Sequence, residues 1–341
     1  MTQDAALRPL GWNDEVATSL TAALAAGPDL VPGRIVRVDR GEVDVATGVD
    51  DIVRATSTTS AKDAVAGDWV ALDRGAARVT AIAPRSTAFV RRAARGARSA
   101  QTLAANMDVV LVVQALEPGI NIRRLERELV LAHQSGARPL VVLTKTDVVD
   151  DATSTKAVAE ASRCAPRVAV VAVSNRTRAG FDELERLVEP SRTFALLGSS
   201  GVGKSTLVNS FAGERVQLEG EIRDGDGKGR HTTTAARLLC LADGRLLLDT
   251  PGVRALALWE SWEGLAGAFP EIESTGEQCQ FADCFHDNEP GCAVIAAVES
   301  GTIDADRLES WRTLRDEMAE LDADLVEQQR KADRRGRPAH R

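Results

Sequence analysis

Between residues 33 and 82, apolar and polar side chains alternate in five short runs: 34–38, 42–45, 51–55, 68–72 and 77–82. Period-two alternation turns one face of a strand inward and the other to water. Gly or Asp separates most of the runs, as turns require. Five such strands within roughly fifty residues predict a small β-barrel, and the commonest five-stranded barrel of this size is the OB-fold, which often binds oligonucleotides. A purely structural barrel is the plain alternative. Residues 1–30, ahead of it, read as an irregular lead with one short apolar helix.

After Pro84 comes an Arg-rich stretch, and then the period changes. Residues 107–113, 139–143, 167–173, 193–197, 238–241 and 245–248 are continuous apolar runs of strand length, and helical spacing fills most of the intervals. Apolar strands alternating with helices predict a mostly parallel sheet covered on both faces. Beyond Trp259 the pattern turns helical. Leu308, Trp311, Leu314, Met318, Leu321 and Leu325 recur as the buried stripe of a last helix.

With 341 residues, 44% apolar and 27% charged, the chain has the composition of a soluble globular protein with room for two or three cores. No apolar run approaches the ~18 residues that span a bilayer, and the first residues lack the basic and apolar regions of a secretory signal. A cytoplasmic protein without a membrane partner is expected. The net charge of −8 argues against a uniformly basic coat, but the charge is uneven. Residues 85–98 carry five arginines and no acid, and residues 330–341 carry six basic side chains against one Asp. Such patches can hold phosphate backbones. A solvated surface with a frayed tail explains them equally well. Only 6 of the 42 basic residues are lysines, and two of these, Lys145 and Lys204, fall inside the motifs below.

Gly198, Ser199, Ser200, Gly201, Val202, Gly203, Lys204 and Ser205 spell a phosphate-binding loop between a strand and a helix that continues through Thr206. The glycines let backbone N–H groups close round a β-phosphate, Lys204 reaches the β and γ oxygens, and Ser205 ligates Mg2+. The helix N-terminus adds its positive dipole end. Asp249 ends an apolar strand and precedes Gly252 by three residues. It fits a magnesium partner acting through water, with the Gly252 N–H offered to a γ-phosphate.

Thr144, Lys145, Thr146 and Asp147 follow another apolar strand and fit the Asn/Thr-Lys-x-Asp reader of guanine. The Asp147 carboxylate can accept both the ring N–H and the exocyclic amine, a donor pair that adenine does not present there. Lys145 packs its stem on the base and ribose. Ser174 and Asn175, after the strand ending at Val173, back the base. The bound nucleotide is therefore GTP or GDP, with Mg2+. In ordinary small GTPases the phosphate loop comes first; here the guanine reader precedes it, so the G domain reads as circularly permuted.

Cys279, Cys284, His286 and Cys292 place three thiols and an imidazole within fourteen residues. Four such ligands suit a closed, structural, tetrahedral Zn2+ site, with no position left open for catalysis. Metal would fix a segment with little core of its own.

Together these motifs resemble the circularly permuted GTPases that depend on the small ribosomal subunit, the RsgA type. The resemblance covers roughly residues 33–300: the leading barrel, Gln101, Ala104, Ala105, Asn106 and Asp108 at the start of the G domain, residues 229–234 as the first switch, and the Cys/His insert. It implies a monomeric GTP hydrolase that binds rRNA on the small ribosomal subunit and acts in its late maturation. It also implies that one of Thr232, Thr233 and Thr234 closes on Mg2+ and the γ-phosphate. In Ras-like proteins a Gln after the Asp-x-x-Gly orients the attacking water; Val253 stands there and cannot. His231 is the nearest candidate for that role, and a residue that contacts RNA or caps a turn is its other reading.

The expected architecture is multidomain: an N-terminal extension and OB-like barrel (1–84), an Arg-rich connector (85–98), an α/β circularly permuted P-loop GTPase domain (99–255), and a helical zinc-binding domain with a basic tail (256–341). Two rivals stay open: a nucleotide-gated protein for other structured RNA with incidental hydrolysis, and an ATP-dependent single-strand binder, against which Asp147 speaks.

Overall fold

A computed structural model of the chain describes residues 3–39, 41–57, 63–92, 100–212, 236–250 and 262–335. The lead is helical: α1 (Gln3–Leu7) and α2 (Asp14–Leu24), the latter capped by the Asn13 side chain accepting from the Val16 N–H. Leu7, Leu10 and Leu20 are buried, and Trp12 meets Trp69 edge-on at 5.2 Å, so the lead packs against the barrel. The five alternating runs form β1 (Leu30–Asp39), β2 (Glu42–Gly48), β3 (Asp51–Ser57), β4 (Trp69–Asp73) and β5 (Arg78–Ile82). Their order is β1-β2-β3-β5-β4, and β4 returns to pair with β1. Only the β3–β5 pairing is parallel. This is the closed five-stranded barrel expected of an OB-fold. Ile35, Val43, Val45, Val70, Leu72 and Val79 fill it.

The Arg-rich stretch is more than a connector. Part of it is β6 (Ala88–Arg92), which pairs with β7 (Ala100–Ala105). Its first arginine faces inward: Arg85 Nε and Nη2 bond the two oxygens of the fully buried Asp68 at 2.7 and 2.8 Å.

The central unit contains β8 (Val109–Ala115), α3 (Ile122–Gln134), β9 (Arg138–Thr144), α4 (Asp151–Cys164), β10 (Val170–Ala172), α5 (Phe181–Leu187), β11 (Thr193–Leu197), α6 (Lys204–Ala212), β12 (Arg237–Cys240) and β13 (Leu246–Asp249). The strands lie in the order β10-β9-β8-β11-β13-β12, parallel except for β12 against β13. All seven residues of β8 are buried, as a strand covered on both faces must be. At its edge β12 meets β1 through Arg37 and Arg237, so barrel and G domain share one sheet.

The C-terminal part is helical: α7 (Trp262–Ala268), α8 (Pro270–Gly276), α9 (Ala293–Glu299) and α10 (Ala305–Arg335). Leu308, Trp311, Leu314 and Met318 are the buried stripe of α10. Its Arg307 bonds the buried Glu126 of α3 at 2.8 Å, Glu271 of α8 at 2.8 Å and the Ala268 carbonyl at 2.9 Å. Among the described residues no helix is long and apolar enough to cross a membrane.

One guanidinium ties the lead, the barrel and the G domain. Buried Arg34 donates to the carbonyls of Leu10 at 2.5 Å, Asn106 at 2.8 Å and Gly67 at 3.3 Å, and lies 5.0 Å over the Trp69 ring. Burial brings its pKa down to about 10, so it stays charged at neutral pH. Asn106 adds a bond from Nδ2 to the Gly67 carbonyl at 3.0 Å. Gly67 has φ +93°, and a Cβ there would lie 2.0 Å from the Ala105 carbonyl oxygen. Gly67→Ala is therefore expected to cost about 2–4 kcal/mol from clash and backbone together. Gly41 also has a positive φ but nothing within 4 Å of its Cβ position. Gly41→Ala should cost only about 1–2 kcal/mol. Urea unfolding of both variants checks the difference, and equal losses would refute the close approach.

Candidate functional site

The phosphate loop runs from the end of β11 to the start of α6, at the carboxyl edge of the sheet where open α/β folds bind ligands. Its glycines are required by position. Gly198 has φ +141°, with a virtual Cβ 2.5 Å from the Val113 carbonyl oxygen, and Gly203 has φ +92° and faces Thr144 and Asn175. Lys204 Nζ donates to the carbonyls of Gly198 at 2.8 Å and Ser199 at 2.6 Å, folding its ammonium over the loop. Ser199, Ser200, Lys204, Ser205, Asp249 and Thr250 share a cleft of about 690 Å³ with Arg124, Arg127 and Glu128 of α3.

Asp249 opens to this cleft, yet enough protein surrounds it that desolvation raises its pKa, against the pull of Arg237. A divalent cation beside Ser205 and Asp249 would reverse that penalty, so the donor set fits Mg2+. Glu128 accepts from Gln114 Nε2 at 2.7 Å, and burial lifts its carboxyl to about 7 against the opposing effects of that bond, Arg124 and Lys204.

The loop expected to read guanine joins the phosphate loop directly. Thr144 is fully buried, and its hydroxyl lies 2.6 Å from the Val202 carbonyl and 3.3 Å from that of Gln114. This accounts for a threonine at a position usually held by Asn. Lys145 adopts a left-handed backbone with φ 64° and donates to the Glu117 carbonyl at 3.3 Å. Thr146 N–H bonds the Val173 carbonyl at 3.3 Å, tying the loop to the segment that carries Ser174. Ser174 Oγ donates to Asp147 Oδ1 at 2.7 Å, the leading cause of a lowered Asp147 pKa. Asp147 Oδ2 meets Arg176 Nε at 2.9 Å. A guanidinium fork presents the same kind of N–H donors as the guanine edge, so Arg176 occupies the carboxylate that a base would use. Asn175 Nδ2 reaches the Gly203 carbonyl at 3.4 Å, while its buried Oδ1 has no partner among the described residues.

Thus Thr144, Lys145, Thr146, Asp147, Ser174 and Asn175 converge with residues 198–206 and Asp249 on one edge of the sheet. His231, Thr232, Thr233, Thr234, Gly252 and Val253 lie outside the described residues. Sequence reasoning missed Arg176, Glu128 and Gln114; the Ser-Asn-Arg run was the one available signal.

The second cluster is Cys279, Cys284, His286 and Cys292, whose ligand atoms all lie within 4.8 Å of one another. His286 Nδ1 is 3.6 Å from Cys279 Sγ and 3.4 Å from Cys292 Sγ, and the two sulfurs are 3.8 Å apart. A tetrahedron with Zn–S and Zn–N bonds of about 2.3 and 2.05 Å has edges of roughly 3.8 and 3.6 Å, so the residues fit zinc. Burial lowers the His286 pKa and favours the neutral imidazole that a metal needs.

The family model described as RsgA GTPase matches residues 82–259, and that of the 50S ribosome-binding GTPases matches residues 193–331. The chain is 45% identical to the small ribosomal subunit biogenesis GTPase RsgA of Streptomyces coelicolor over 91% of this chain and 86% of that one. It is 39% identical to the protein of the same name from Methanosarcina acetivorans over 91% and 84%. YjeQ from Thermotoga maritima has a crystal structure similar to this one, with TM-score 0.64 and 25% identity over 84% of this chain and 98% of that one. The fold is shared with YloQ, described as a circularly permuted GTPase, at TM-score 0.63 and 20% identity over 85% and 96%.

Glu128 gives a pH test of the cleft. Its folded pKa of about 7 exceeds the ordinary 4.5, so the unfolded chain releases this proton first. The residue's contribution to stability is therefore fully present below pH 4.5 and is lost as pH rises through about 7. Glu128→Gln keeps an acceptor for Gln114 without the titration. In nucleotide-free protein the variant should gain on wild type from acid to neutral pH and then hold level. Carboxyl NMR titration and urea midpoints across that range check this, and an ordinary midpoint would overturn the assignment.

Proposed function

This chain belongs to the RsgA GTPase family, and we propose that it binds the small ribosomal subunit and hydrolyses GTP during the late maturation of that particle. The observation that carries the reading is the Thr144 hydroxyl bond to Val202, which makes a guanine reader and a phosphate loop one pocket although the chain visits them in permuted order. Asp147 reads guanine, Lys145 covers the base, and Ser174 and Asn175 back it. The backbone from Gly198 to Gly203, with Lys204, holds the phosphates. Ser205, Asp249 and one of the threonines from Thr232 to Thr234 would hold Mg2+, which would offset charge on the β and γ oxygens. Gly252 contacts the γ-phosphate, and His231 orients the attacking water.

The domains divide at residues 84, 98 and 255. The barrel and the C-terminal module grip rRNA from either side of the G domain, and Cys279, Cys284, His286 and Cys292 hold one structural Zn2+. The protein works as a cytoplasmic monomer with no membrane partner.

GTP turnover of the full chain, alone and with purified small subunits, is the direct test. Stimulation of several orders of magnitude is expected, since completing such a site in trans is worth up to ~10⁵-fold. Equal rates would favour a gated binder of other structured RNA. His231→Ala should leave GTP affinity nearly intact and abolish most of the stimulated rate; undiminished stimulation would remove His231 from the mechanism. At the base pocket, Asp147→Asn should weaken GDP binding by about 10–100-fold, for a charge-assisted pair worth about 1.5–3 kcal/mol. Arg176→Ala should tighten it a few-fold, because the competing pair is exposed and therefore weak. Calorimetric titration with GDP and ADP measures both, and comparable wild-type affinity for the two nucleotides would sink the guanine assignment.

A further inference from the structure

The imidazole of the Cys/His cluster sits in an awkward place on the chain. His286 has φ +59°, in the left-handed region that a side chain with a Cβ disfavours. Such a conformation persists only where its surroundings over-determine it. Here the peptide groups on both sides are held at both ends. The Glu289 carboxylate takes the N–H groups of Phe285 at 2.8 Å, Asp287 at 2.8 Å and Asn288 at 3.1 Å. The carbonyls are held from the other side by two arginines of α10. Arg312 Nε donates to the His286 carbonyl at 3.1 Å, and its Nη2 donates to the same oxygen and to that of Asp287 at 3.1 Å. Arg315 Nη1 donates to the Phe285 carbonyl, and its guanidinium reaches the Asp287 carboxylate at 3.3 Å. Trp311, from the same helix, lies 5.2 Å from the His286 ring.

We propose that Arg312 and Arg315 are positioning residues of the metal centre, with Glu289 as their counterpart across the loop. By fixing three consecutive carbonyls they hold His286 in the strained backbone that aims Nδ1 at the thiols of Cys279 and Cys292. They also set two positive charges beside a centre that three thiolates and a divalent ion leave with one net negative charge. A planar fork bonds two acceptors at once, which a lysine ammonium does with less geometric definition. The proposal rests on the zinc reading above and adds to it that the metal site is completed by a helix more than twenty residues further along the chain.

The test uses the full chain loaded with Zn2+ or with Co2+, whose visible ligand-field bands report tetrahedral geometry and whose charge-transfer intensity reports thiolates. Wild type should take one metal with the spectrum of three sulfurs and one nitrogen. Arg312→Ala/Arg315→Ala should lose about 10–100-fold in metal affinity, the usual cost of removing an outer-shell partner. Its ligand-field bands should shift toward those of His286→Ala while thiolate intensity is kept. Arg312→Lys should recover the bands only in part. Should the double variant fail to fold, Arg312→Gln and Glu289→Gln each remove one side of the clamp and should move the same bands. Wild-type spectra and zinc release to a chelator in these variants would overturn the proposal with the zinc reading intact. A wild type that takes no metal would overturn the zinc reading itself.

Discussion

A hydroxyl with no access to water joins the two halves of the nucleotide site. Thr144 sits at the end of β9, Val202 in the loop after β11, and β8 lies between the two strands. A parallel sheet brings the carboxyl ends of its strands to one edge whatever the order in which the chain visits them. Permutation changes the covalent links and leaves this adjacency untouched. The bond also makes a demand on the loop. Val202 offers its carbonyl to Thr144 where Gly203, next in sequence, turns through φ +92°, with Asn175 Nδ2 3.3 Å from where its Cβ would stand. The 144–147 loop and the 198–203 loop therefore hold each other in place.

The flanking modules are fixed to this centre by buried charge rather than by apolar contact alone. Arg34 gathers carbonyls from the lead, the barrel and the start of the G domain. On the opposite side α3 is the shared element. Glu128 lines the nucleotide cleft, Glu126 is buried against Arg307, and Arg127 pairs with Glu317 of α10. The close approach of α7 to α3 depends on Gly264, whose Cβ would lie 2.4 Å from the Val130 carbonyl. One helix thus touches the nucleotide site on one face and the C-terminal module on another. Removing Arg307 would leave the Glu126 carboxylate buried and unpaired, a loss of about 3–5 kcal/mol, whereas Arg307 without Glu126 would keep Glu271.

The alternating runs of the barrel, the apolar strands of the G domain, the phosphate loop and the Cys/His cluster were legible because each is written in consecutive or regularly spaced residues. What escaped reading is made of long-range partners. Arg85 and its neighbours read as an open basic stretch, but the partner of Arg85 is Asp68, across the junction. β6 was hidden because its pairing with β7 is a tertiary fact and its two strand formers, Phe89 and Val90, are followed by two arginines. Arg312 and Arg315 sit beside the apolar stripe of α10, where helical spacing says only that they flank it. Their carbonyl partners lie 26 and 30 residues upstream. Arg176 is adjacent to the recognised Ser174 and Asn175, yet only the fold brings it to Asp147.

The distribution of cations follows from the same geometry. The chain has 36 arginines and only six lysines. Much of that arginine is spent internally. Arg34, Arg245, Arg307 and Arg315 are buried, and all four donate to main-chain carbonyls. A guanidinium can satisfy several acceptors at once with little loss of order, so it suits junctions where loops end and carbonyls are left over. Two of the six ammonium groups also rest on main-chain carbonyls, Lys204 over the phosphate loop and Lys145 beside the predicted base reader. Beside the predicted base reader the guanidinium of Arg176 is exposed, and it pairs with the Asp147 carboxylate. Three-quarters of its side chain faces water, so this pair is weak beside the buried guanidinium joints.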